Sequence, residues 1–464
     1  MLRRIAVTVV AFLLWGADDA RSQDWRAGVD PRVELMSVLF RLAGNREYSQ
    51  SRVSAYDKAI EGYFAPYRDH EAVGLARLLG TGFDGPMKLA VNVRDADSLA
   101  ERVPFDRLSV HLYQGWDAGK ARDFLGAARR FATDSKFQDF LQSQQPLYTA
   151  TSGRLQAFVA EKCDLGWFAR FFGSAPPARF IIVPGLANGS ASYAARVVDE
   201  TGVQEIYAIP GVSKVDPAGL PVFDADWRTT LVHEVAHAFT DPVAGKFAAG
   251  MRKAAGQIYA PVSAAMKRQS YGSARILLNE SLARAATIEY VMEHDGQEAA
   301  QRVIRQENSR SFFWMSGLVE LLDAYRSDRR QYPTFDSFMP RVVEYFNGVA
   351  PRIQELTERM QPKVISTSIP EGARDVDSGV KSIVVRFSLP MSRTGPNRSS
   401  KVSGGRFDGS GTVVTIPVNL EPERDYVIPL RWAGGQSFVS ADGVPLPVTL
   451  LRFRTGAAPA PKPQ

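Results

Sequence analysis

His233, Glu234 and His237 stand together as His-Glu-Val-Ala-His inside TTLVHEVAHAFTDP, residues 229–242. On an α-helix the two histidines are i and i+4, so both imidazoles leave one face about a turn apart and can grip one ion. Neutral imidazole is a ligand for zinc, and a neighbouring glutamate can take a proton from the attacking water and deliver it to a leaving amine. The pattern therefore spells a zinc hydrolase with Glu234 as general base. The chain has only five histidines, and random placement would produce such a pattern with odds on the order of one in a few hundred. Asp224 or Asp226 is placed to cap the helix, and Pro242 to stop it. Leu231, Val232, Val235, Ala236, Ala238 and Phe239 are uncharged, so the helix should be buried on its remaining faces.

A catalytic zinc takes three protein ligands and leaves a fourth position open. The three-histidine extension of the motif needs a glycine at 240 and a histidine at 243. Those positions hold Thr240 and Val243, which excludes it. Downstream, ARILLNESLARAATIEY carries Glu280 beside an apolar face of Leu277, Leu278, Leu282, Ala285 and Ile288. Glu289, about two and a half turns further on, is the competing third ligand. Tyr271 and Tyr207 are candidate donors to a tetrahedral oxyanion. The run VQEIYAIPGV, residues 203–212, is a candidate edge strand on which an extended substrate could pair. His70, His111 and His294 read as structural or exposed, and the single cysteine, Cys163, as a small apolar residue that forms no intrachain disulfide.

A histidine pair of this kind followed by Asn279-Glu280 on a helix resembles the gluzincin class of zinc metallopeptidases. The resemblance implies that His233, His237 and Glu280 bind zinc and that Glu234 is the base. Many gluzincins place an acidic residue four positions after the glutamate ligand, where it orients a histidine. Here that position is Arg284, which becomes a candidate oxyanion stabiliser instead. Over roughly residues 40–350, the segments YFAPYRDHEAV, HEVAHAFTDP and LNESLARAATIEY are similar to an uncharacterised, mostly secreted bacterial family of predicted gluzincin peptidases, domain of unknown function 4932. IPEGARDVDSGVKSIVVRFSLPMS with ADGVPLPVTLLRFRT resembles the bacterial Ig-like domain of exported proteins, a spacer or adhesive module.

The elements that must position these residues are mostly helical. Apolar residues recur at three and four through 32–172 and again through 244–360, with two strand-like runs, 178–186 and 203–212, just ahead of the motif. From 361 the texture changes to short β runs broken by Gly, Pro, Ser and Asn, as in a small sandwich. The fold class is thus α+β: a mostly helical zincin-like domain with a small sheet, residues 23–360, an Ig-like β-sandwich, 361–456, and a Pro/Ala tail, 457–464. Arg3, Arg4, the apolar stretch 5–15 and Ala20-Arg21-Ser22 read as a signal peptide, residues 1–22, so the mature protein is expected to be secreted or periplasmic.

Composition is that of a globular chain, 45% hydrophobic and 23% charged. The 56 basic and 50 acidic residues are interspersed, which excludes the basic stripe of a nucleic-acid binder, and no later stretch is apolar enough to span a membrane. The expected partner is a peptide or protein substrate, with the Ig-like domain as candidate contact to a cell surface or another protein. Two alternatives stand beside the peptidase: a noncatalytic surface-binding protein with a vestigial zinc site, against which the intact Glu234 argues, and a zinc amidase acting on cell-wall material.

Overall fold

The computed structural model describes residues 24–80, 85–107, 117–173, 178–189, 191–198, 202–392, 405–430 and 438–457. The expected signal peptide, His111 and the tail from 458 lie outside them. The architecture is mixed α+β, with helices in the majority and small sheets. Among the described residues no helix is long and apolar enough to cross a membrane.

The first sheet is built from β1 (Trp25–Ala27), β2 (Ala178–Ile182), β3 (Tyr193–Val198) and β4 (Gln204–Ile209), in the order β1-β2-β4-β3. The first, second and fourth run parallel, and β3 is antiparallel to β4. Period-two alternation splits the side chains between two cores. Phe180, Ile182, Ile206 and Ala208 face a core shared with Leu231, Val235 and Phe239. Ile181, Val183, Tyr207 and Ile209 face a second core built on the N-terminal helices, with Val33, Phe40, Phe64 and Phe131. The sheet is thus a wall between two helical layers.

Two expectations fail here. The run 203–212 is not an edge strand: β4 lies between β2 and β3, and all six of its residues are buried. A strand covered on both faces reads as a near-continuous apolar run, which is what YAI and its neighbours show. The edges are β1 and β3, the latter half hidden in sequence among the small residues of NGSASYAARVVDETG. Tyr207 also points away from the motif helix, into the N-terminal layer. Its hydroxyl accepts from Arg32 Nη2 at 3.1 Å and Arg102 Nη1 at 3.0 Å, and donates to Glu205 Oε2 at 2.9 Å. It is no oxyanion donor.

The motif helix spans Ala225–Arg268. Asp224 is its cap, accepting from the Trp227 amide at 3.0 Å. Pro242 does not stop it, and neither does Pro261. An interior proline removes one backbone hydrogen bond and costs about 3 kcal/mol. Burial of Phe239, Val243, Ala244, Met251, Ala254, Ala255 and Ile258 on either side of Pro242 offsets this, since each fully buried large side chain contributes about 1.5–3 kcal/mol. The chain turns at Ser270, where φ is +68°, and re-enters a helix over Ala274–Asp295, capped by Ser273, that packs along the motif helix. A third helix, Gln297–Ser309, follows directly.

Beyond Met360 the chain forms two small sheets. The first has β5 (Val364–Thr367), β7 (Ser382–Phe387), β9 (Val413–Pro417) and β8 (Arg406–Phe407), all antiparallel. The second has β10 (Asp425–Pro429), β11 (Leu450–Thr455) and β6 (Ala373–Val376), the last parallel to β11. Ile383, Val385, Val414, Ile416, Leu451 and Phe453 close one core between them. One turn of this module, 440–445, leaves that core. Val444 is buried in the core of the motif helix, Asn308 Nδ2 donates to the Asp442 carbonyl at 3.0 Å, and Gln361 Nε2 to the Pro445 carbonyl at 3.0 Å. Gly443 has φ +88°, and a Cβ there would lie 2.2 Å from the Arg305 carbonyl oxygen. Only glycine permits so close a backbone approach.

Candidate metal centre

One turn of helix brings His233 and His237 together, and the neighbouring helix brings Glu280 across to them. His233 Nε2 and His237 Nε2 are 3.2 Å apart, His233 Nε2 is 3.5 Å from Glu280 Oε2, and His237 Nε2 is 3.5 Å from Glu280 Oε1. Two donors bound to one ion at about 2.0–2.1 Å with tetrahedral angles stand about 3.3–3.4 Å apart. The three donors therefore fit a single ion of first-row size, and these residues form a group able to hold a metal ion. The side chains keep 11–17% exposure.

Electrostatics prepares the donors unequally. Burial pushes the His233 imidazole down to about 4, against the pull of Glu280. Burial acts on His237 in the same sense, but Asp241 and Glu280 outweigh it and hold its pKa well above the ordinary imidazole value. Burial also opposes ionisation of Glu280, yet Arg284 and the two imidazoles keep its carboxyl well below the usual range. Glu280 is thus an anionic ligand and His233 a neutral one. A metal ion bound there would take the place of a proton on His237.

Two supporting residues escape the sequence reading. Asp241 accepts from His237 Nδ1 at 3.1 Å, which fixes the tautomer and leaves Nε2 for an ion. It supplies the acidic partner that Arg284 cannot, and its i+4 spacing from His237 was the signal available. Glu307, on the helix Gln297–Ser309, pairs with Arg284, and no spacing in the sequence links it to Glu280. Arg284 is buried, donating from Nη2 to Glu280 Oε2 at 2.9 Å and to the Tyr271 hydroxyl at 2.7 Å, with its plane 4.5 Å over the Phe312 ring. Tyr271 is half-buried and pushed above the ordinary phenol value by burial, with Arg284 pulling the other way and Glu280 and Glu234 adding to the rise. Glu234 is buried beside the ligands, 8% exposed, and its charge reaches Tyr271.

Glu289 is not brought to the group. Two and a half turns is half a turn out of phase, so it leaves the opposite side of its helix from Glu280. It is fully buried, with Arg326 Nε at 2.9 Å, and burial raises its carboxyl to about 7. The remaining described histidines make local structural contacts. His70 Nδ1 accepts from the Ala72 amide at the start of a helix, and His294 donates to the Tyr290 carbonyl at 2.8 Å. Burial pushes the Cys163 thiol up to about 12, far from a nucleophile's range.

Residues 26–345, which include every member of this centre, match the family described as domain of unknown function (DUF4932). The chain belongs to that family. A search of curated proteins finds no match. Among solved structures, the S-layer protein rSbsC(31-844) aligns over 83% of this chain and 46% of its own at 12% identity, with a TM-score of 0.17. This chain spans less than half the length of that protein, and a superposition of that quality carries no argument. Nothing in the family's description names an activity, so the chemistry rests on the residues.

Proposed function

We propose that the chain is a secreted or periplasmic zinc-dependent peptidase of gluzincin type. The observation that carries this is the convergence of two imidazoles and one carboxylate, at zinc-like separations, with the buried Glu234 next in sequence to one of them. A merely structural site would close its fourth position and has no use for a base. Zinc, when bound, would polarise the scissile carbonyl and bring a water's pKa toward neutrality.

The chain's own residues do the rest. Glu234 takes the proton from the attacking water as its oxygen bonds the carbonyl carbon, and delivers it to the amine nitrogen as the carbon–nitrogen bond breaks. Asp241 holds His237 in the ligating tautomer. Tyr271 keeps its proton because of its raised pKa, and can donate a hydrogen bond to the developing oxyanion. Arg284 is committed to Glu280, Glu307 and Tyr271, so its contribution is positional: it aims the third ligand and the phenol. The two-sheet module beyond Met360 fits the Ig-like reading, with both sheets sharing one core.

Metal analysis of purified protein should return one zinc per chain, lost in His233→Ala. Glu234→Gln should retain the metal while cleavage of a peptide library falls by about 10²–10⁴-fold. A chain with no tightly bound metal and no chelator-sensitive cleavage would sink the proposal.

A further inference from the structure

We propose that the C-terminal module is a working part of the metal centre: its turn 440–445 fixes Glu307, and through Arg284 the aim of Glu280. This rests on the metal reading above. The connection is continuous. Glu280 Oε2 is held by Arg284 Nη2 at 2.9 Å, and Arg284 Nη1 is held by Glu307. Glu307 belongs to the last turn of the helix Gln297–Ser309, whose other side the module grips. Arg305 presents its carbonyl to Gly443, and Asn308 donates to the Asp442 carbonyl. At 100° per residue, Glu307 leaves the helix about 160° from Arg305 and about 100° from Asn308. The module therefore holds one side of this turn while Glu307 reaches Arg284 from another.

The segment that follows tightens the same link. The Phe312 amide donates to the Glu307 carbonyl at 3.0 Å, and the Phe312 ring lies under Arg284. Trp314 Nε1 donates to Ser281 Oγ at 2.9 Å, next in sequence to Glu280. The turn itself is preset for contact. Val439 bridges Pro445, the Ser440 amide donates to the Val444 carbonyl at 2.8 Å, and the Val444 amide to Ser440 Oγ at 3.0 Å. Val444 shares the core of Val303 and Ile304. Glu307 is thus a positioning residue: it touches neither ion nor substrate and acts through Arg284.

Loosening the turn leaves both histidines in place and frees the third ligand, which predicts a loss in metal affinity rather than in folding. In the full chain, Gly443→Val pushes the turn off Arg305, Asn308→Leu removes the hydrogen bond without touching the module, and Glu307→Gln breaks the relay at its centre. Zinc affinity by chelator competition should fall about 10–100-fold in each, the range seen when a ligand's support is removed. The cobalt-substituted absorption spectrum should change in parallel. Combining Gly443→Val with Glu307→Gln should cost little more than either alone, because both act through Arg284. Val385→Ala, in the module's own core, serves as control and should lower the module's melting temperature without changing zinc affinity. Wild-type affinity in Asn308→Leu and Gly443→Val, or full additivity in the double variant, overturns the coupling while leaving the metal reading intact. A wild-type chain that binds no metal removes both.

Discussion

The two faces of the first sheet each bury an arginine among carboxylates and a tyrosine, yet only one makes a centre. On the far face Arg32 pairs with Asp30 at 2.6 Å, donates to the Val93 carbonyl at 2.8 Å and to Tyr207, while Arg102 pairs with Glu205 at 2.7 Å and shares Tyr207. Asp30, Arg32, Arg102 and Tyr207 line a cavity of about 880 Å³, but their charges are already spent on one another and on Glu205. On the near face Arg284 is engaged through both Nη atoms, and beside it stand two imidazole nitrogens 3.2 Å apart with a carboxylate oxygen 3.5 Å from each. Buried charge alone therefore does not mark a site. What distinguishes one is donor capacity left over after the internal pairs are made.

Matched substitutions can break this comparison. Arg284→Met should destabilise the chain by about 3–5 kcal/mol, since it strands the buried Glu280 and Glu307, and Arg32→Met should cost less, since its one carboxylate partner, Asp30, is part-buried. Zinc should partly rescue the first and not the second, as read by melting with and without metal. Equal rescue of both would erase the distinction between the faces.

A pH effect of similar size belongs to the far face. Burial raises the Glu34 carboxyl to about 8, although Tyr56 donates to it at 2.5 Å and pulls the other way. The unfolded chain then loses this proton near 4.5 while the folded chain keeps it to about 8, so stability falls as pH rises through that window. Glu34→Gln should remove this slope, a relative gain on the order of 4 kcal/mol above pH 8 that vanishes below 4.5. Unfolding midpoints across pH check it, and parallel curves for both proteins would refute the assignment.

Smaller effects sharpen the near face. Asp241→Asn should weaken zinc binding by about 10–100-fold through loss of the His237 orientation, measured against a competing chelator. Tyr271→Phe should lower kcat by about tenfold or more with metal retained. Tyr207→Phe, which removes a buried hydroxyl of the far network, should cost about 1–3 kcal/mol of stability and leave kcat unchanged.

The centre was legible where it follows helical period. His233, Glu234 and His237 lie on one helix, and Glu280 and Arg284 on the next, so spacing alone placed each set on a face. Glu289 was misplaced by the same arithmetic, because two and a half turns reverses a side chain. The long-range partners were not readable: Glu307, Asp442 and Gly443 reach the centre only through tertiary packing. Local signals also misled where packing outweighs them. Pro242 sits inside a helix whose burial outweighs one lost hydrogen bond, and β4 looked like an edge because the strand that covers it, β3, is a short YAARVV set between small and polar residues.

The turn at 440–445 also bears on the order in which the molecule is completed. Every other fully buried member of the motif-helix core lies between Ala27 and Ile353, and Val444 is added to it from nearly a hundred residues further on. A chain that emerges N-terminus first carries both histidines and Glu280 long before that valine. Its core closes last, from the far end, so a copy cut short after Met360 carries the ligands in a core that lacks this residue.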